Sequence, residues 1–150
     1  MLDTHTHPAA RDRTRPGRTS PWMAVGLTLG SAAILGTIAI VIWGSSVAWW
    51  GHGLAVVVLV LAAGMALGSH RWQRRGRNLV AWAMGFSLGL TLITIFGVGL
   101  VSLIAVIFLG AALMAWPRGD GEAAIGWTQV WCECLGFLCA LVPLLMLISR

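Results

Sequence analysis

The apolar and polar positions of this chain fall into long blocks, with no strand-like alternation. Residues 1–20 are polar, rich in Arg, Thr and Pro, and lack a hydrophobic period, which predicts a disordered tail. Five apolar blocks follow, and since a helix needs about 20 apolar residues to cross a bilayer, they predict membrane spans at about 22–44, 47–68, 79–96, 100–116 and 126–148. Residues 21–150 then form a single multispan membrane domain. The expected fold is an all-α integral membrane protein of about five transmembrane helices, or four plus a re-entrant hairpin.

The longest block sets the topology. Residues 79–116, thirty-eight in a row, contain no Asp, Glu, Lys, Arg, His, Asn or Gln. One helix of that length would measure roughly 57 Å, almost twice the roughly 30 Å of bilayer hydrocarbon. The block must therefore fold back. Phe96-Gly97-Val98-Gly99, near its middle, carries the glycines that a tight reversal needs. Three intervening stretches read as loops: 45–53 with Trp49, Trp50 and His52; 69–78 with His70 and four arginines; and 117–126 with the turn sequence Pro117-Arg118-Gly119-Asp120-Gly121.

Charge supplies the orientation. All ten cationic residues are Arg. They border the apolar blocks, chiefly at Arg11, Arg13, Arg15 and Arg18 and at Arg71, Arg74, Arg75 and Arg77, where topology-setting charge belongs. The tail and the stretches 69–78 and 117–126 are expected on the cytoplasmic side, leaving only Arg150 opposite. The first apolar block exceeds the roughly 7–15 residues of a secretory signal core, and more spans follow, so it is expected to remain as an uncleaved helix.

Composition excludes a soluble fold. Of 150 residues, 58% are hydrophobic and 10% charged, and the mean hydropathy is +0.85. The formal charge of +5 would raise the question of nucleic acid in a soluble protein. Here the arginines flank apolar runs, so no nucleic acid is expected, and anionic lipid headgroups are the expected partner of the Arg clusters. Arg without Lys, with abundant Ala, Gly and Trp, suggests a GC-rich bacterial coding sequence and the bacterial cytoplasmic (inner) membrane.

Candidate chemistry is confined to the last block. Glu133 cannot easily be pushed into water, and an acid in such a place must be protonated, paired or facing a wet cavity. With Gln129 one turn before it, Glu133 is expected near the cytoplasmic end, at the interface or roughly a turn or two inside it, either holding headgroups and an arginine of the 69–78 stretch or forming a proton or cation site. Cys132, Cys134 and Cys139 suggest packing, or thiol and soft-metal handling. On a helix, Cys132 and Cys134 point about 200° apart and cannot share an ion. The string Asp3-Thr4-His5-Thr6-His7 resembles the first metal-binding strand of barrel metallohydrolases, yet the barrel is absent, so no metal or cofactor is expected. His52 reads as a solvated loop histidine. The pairs Gly26/Gly30, Gly64/Gly68 and Gly85/Gly89 predict close helix packing, within the chain or in a homo-oligomer.

Val47-Ala48-Trp49-Trp50-Gly51, the arginine stretch and the run 90–100 look like many small bacterial membrane proteins with paired hairpins, a resemblance that implies no activity. The expected role is a non-enzymatic structural or accessory subunit acting through helix packing with other membrane subunits. The alternatives are a transporter or channel component using Glu133, and a membrane thiol or metal-handling protein.

Overall fold

A computed structural model describes residues 20–41, 46–94, 99–118 and 126–148. They form five helices: α1 (Pro21–Val41), α2 (Ser46–Ala66), α3 (His70–Ile93), α4 (Gly99–Ala115) and α5 (Trp127–Ile148). No strand occurs among the described residues. By length and composition one helix, α1, is long and apolar enough to cross a membrane; Trp50–Ala66, Gly99–Ala115 and Trp127–Val142 are shorter apolar helical runs.

Two expected loops are helix. The arginine stretch forms the first turns of α3, which begins nine residues before the expected span start at 79. Residues 70–75 contain no Gly or Pro, Arg and Gln are good helix formers, and Ser69 precedes them with the extended backbone of an N-cap position (φ −64°, ψ 163°). Likewise α2 starts at Ser46, which places Trp50 and His52 inside it. The tail with Asp3, His5 and His7, the reversal at Gly97 and Val98, and the acids Asp120 and Glu122 lie outside the described residues.

The long apolar block does fold back. Gly99 donates its N–H to the Thr94 carbonyl at 3.0 Å. A Cβ at Gly99 would lie 2.7 and 2.8 Å from the carbonyl oxygens of Thr91 and Thr94, so this close return requires glycine. Gly110 then faces Met84, and Trp116 faces Gly76, as an antiparallel hairpin demands.

The first four helices close a ring: α1 packs on α2 and α4, and α3 packs on the same two. Each buries a 3–4 repeat toward the centre: Ala24, Thr28, Ser31, Leu35 and Ile38 on α1; His52, Ala55, Leu59, Ala62 and Ala66 on α2; Gly76, Val80, Ala83, Ser87 and Leu90 on α3; Ser102, Ala105, Leu109, Ala112 and Trp116 at α4 and its end. This is the seam spacing of coiled coils and four-helix bundles. Alanine is the commonest seam residue, and with the seam serines it lets the backbones approach closely. Outside, large apolar side chains stay exposed, among them Ile40 at 70% and Leu100 at 70%.

Helix α5 stands apart from the ring and packs chiefly on α3. Gly85 meets Glu133, and Gly89 meets Phe137 and Ala140, so the two helices run parallel. Apart from Glu133, every charged side chain among the described residues lies at one end of the bundle, where α3 begins and α4 stops. There Gln73 Nε2 donates to the last carbonyls of α2 (Ala66, 3.2 Å) and to Gly68 (3.1 Å), while Arg118 Nη2 donates to Leu113 (3.2 Å) and Met114 (3.0 Å) at the end of α4. These bonds satisfy carbonyls that a helix terminus leaves open.

Candidate functional site

The site is built where α5 meets the α3–α4 hairpin. On α5, Gln129, Glu133, Gly136 and Ala140 form a 3–4 strip turned toward α3. On α3, Gly85 and Gly89 form the matching flat surface. A Cβ at Gly85 would fall on the Glu133 carbonyl, and one at Gly89 would lie 2.6 Å from Cβ of Ala140. From the other side Gly136 rests on the backbone of Trp82 and Phe86, whose rings stack with centroids 4.9 Å apart. Of the three Gly-x-x-x-Gly pairs, only this one brings two helix backbones together; Gly26 and Gly64 face open space.

This docking sets the depth of Glu133. Gly85, its neighbour, is eight residues beyond Arg77, about 12 Å of helical rise. The same groove is lined by Val106, seven residues after the start of α4 and nine before its end. Glu133 is therefore level with the middle of the hairpin, about two helical turns beyond Arg77, at the deep end of its expected place. The cause is that α5 lies parallel to α3 in the register dictated by Gly85, Gly89 and Gly136. No hydrogen bond or ion pair joins Glu133 to another described residue.

The groove holds about 470 Å³, within the roughly 300–1,000 Å³ typical of small-molecule sites. Its walls are Met84, Gly85 and Leu88 of α3, Val106 of α4, and Cys134, Phe137 and Leu138 of α5, with Glu133 as the one ionisable acid. The other expected site residues separate into different roles. Gln129 is 2% exposed, and its Oε1 accepts the Gly126 N–H at 2.7 Å. It thus closes the first turn of α5 as the third-position glutamine of a capping box does. Cys132 and Cys139 are half-buried and Cys134 is exposed, and all three are free thiols. Among the described residues no three His, Cys, Asp or Glu side chains are grouped to hold a metal ion. Arg71, Arg74 and Arg75 are exposed on the first turns of α3, where Arg75 lies 5.4 Å over the Trp72 ring, whereas Arg77 is buried at 5% exposure.

His52 is the functional candidate that sequence reasoning misplaced. It is fully buried in α2, with Nε2 3.3 Å from Ser102 Oγ of α4. The glycines on either side suggested a loop. Its place at the head of the run His52, Ala55, Leu59, Ala62 and Ala66 was the signal that it belongs to a helical seam. Of the other seam hydroxyls, Thr28 bonds to Ala24 (2.8 Å) and Ser31 to Leu27 (3.0 Å) in their own helix, while Ser87 Oγ has no hydrogen-bond partner among the described residues. Ser31 Oγ also reaches the Ala105 carbonyl of α4 at 3.4 Å. Truncating His52 to Ala is expected to cost about 2–4 kcal/mol, because it opens a cavity in the seam and removes the contact with Ser102 Oγ. Thermal unfolding in detergent micelles checks this; an unchanged midpoint would place His52 outside the core.

Compared with known protein families, with curated proteins and with solved structures, the chain matches none, so a functional reading rests on the geometry just described.

Proposed function

We propose that this chain is a multi-pass protein of the bacterial inner membrane, with the arginine-bearing end of the bundle facing the cytoplasm, acting without catalysis as a structural or accessory subunit. The observation that carries the reading is the apolar exterior. Side chains such as Ile40, Leu100, Ile107, Trp131 and Leu145 are exposed on three different helices, a surface that water would penalise and that lipid or a neighbouring helix would cover. Exposed Trp22, Trp72 and Trp127 lie at the arginine end, where aromatic and cationic residues sit in membrane proteins. Anionic headgroups are the natural partners of Arg71, Arg74 and Arg75 there. In mild-detergent extracts of its native membranes, native mass spectrometry should find the chain in a complex of fixed stoichiometry, with another membrane protein or with itself. Recovery solely as a monomer, while other membrane complexes stay intact, would overturn the subunit role.

A second reading, a transport or binding component that uses Glu133, is favoured by one observation. Glu133 is level with the middle of the α3–α4 hairpin, and an acid at membrane depth is costly enough to mark a site by default.

A further inference from the structure

We propose that the groove beside Glu133 binds an organic cation with an apolar body, of the quaternary ammonium or phosphonium class. The inference rests on the second reading above and names the ligand of that site.

Three features select this chemistry. The first is charge: Glu133 brings a single negative group to a groove otherwise walled by Met84, Leu88, Val106, Phe137 and Leu138, and no described residue pairs with it. A monovalent cation neutralises it. The second is coordination. Hard inorganic cations such as calcium take about six to eight oxygen ligands, and magnesium demands a near-octahedral set. The groove offers one carboxylate, beside which the Phe137 ring and the sulfur atoms of Met84 and Cys134 are soft, polarizable contacts suited to a diffuse organic charge.

The third feature is size. The lining runs from Met84 to Leu88 on α3 and from Glu133 to Leu138 on α5, about 6 and 7.5 Å of rise. A partner helix lying along the site would need several times that length, whereas a compact ligand fits it and the volume of about 470 Å³. Gly85 is central to the arrangement, because its missing side chain lets the Glu133 backbone settle against α3, on the wall of the groove.

The test is equilibrium dialysis of tetraphenylphosphonium against the full chain purified in detergent micelles. The expected result is one site per chain, weakened at least about tenfold in Glu133→Gln and retained in Glu133→Asp. Leu138→Trp, which fills the groove and keeps the acid, should also lose the site. Thermal melting of each variant confirms that it is folded. Equal binding by wild type, Glu133→Gln and Leu138→Trp would mean partitioning into the micelle and would overturn the proposal. If wild type fails to bind the phosphonium but proteoliposomes show proton or alkali-cation flux that Glu133→Gln abolishes, the organic ligand falls and the second reading stands. Absence of both binding and flux removes both.

Discussion

Replacing Gly85 by Leu is expected to separate α5 from α3. The backbone of Glu133 occupies the space a side chain at position 85 would need, and Gly136 is seated equally tightly against Trp82 and Phe86. The obstacle on each side is main chain, which has no alternative rotamer with which to yield. Overpacking ordinarily costs about 1–3 kcal/mol, and a clash with backbone belongs at or above the top of that range. For a domain of this size about 3 kcal/mol lowers the melting midpoint by roughly 6–12 °C. Gly26→Leu and Gly64→Leu serve as controls, because nothing lies within 4 Å of a Cβ at either position. Their midpoints should stay close to wild type. A Gly85→Leu midpoint equal to those controls would show that α5 does not dock here.

Trp116→Ala is expected to have a comparable effect at the arginine-bearing end of the hairpin. Among the described residues Trp116 is the largest fully buried side chain, 1% exposed, and it closes the α4 seam. Its indole N–H donates to the Gln73 carbonyl at 2.9 Å, and a Cβ at Gly76 would meet its ring at 2.9 Å. One side chain thereby ties the end of α4 to the start of α3, beside the Gln73 bonds that close α2. Large aromatic-to-alanine changes in cores cost about 3–5 kcal/mol, while Trp116→Phe should keep most of the packing and lose about 1 kcal/mol with the hydrogen bond. Thermal unfolding of the two variants separates packing from hydrogen bonding; equal midpoints for both would contradict the cavity account.

The hairpin was legible because length leaves one solution: 79–116 is too long for a single crossing and carries its glycines near the middle. Five helical elements followed from the same block pattern. The ring seams were equally present in the chain, yet hard to read. Thr28, Ser31, Ser87 and Ser102 are buried at positions where hydropathy alone suggests nothing, and their spacing matters more than their polarity. The start of α3 was missed because four arginines resemble a solvated loop, although Arg is a good helix former. The depth of Glu133 was legible only to within a turn or two. It depends on α5 lying parallel to α3 in one register, a long-range property set by Gly85, Gly89 and Gly136. In sequence those glycines look no different from Gly26 and Gly64.

The central claim is that α5 runs beside α3 through a bilayer with Glu133 near its middle. A nitroxide attached to a single cysteine at 133, with Cys132, Cys134 and Cys139 replaced by Ser, reports this directly when the protein is reconstituted in lipid vesicles. Collision with dissolved oxygen should dominate over collision with a water-soluble nickel chelate, as for a label at 106 and unlike a label at 74. A label at 133 that prefers the nickel chelate as strongly as the label at 74 would contradict the account.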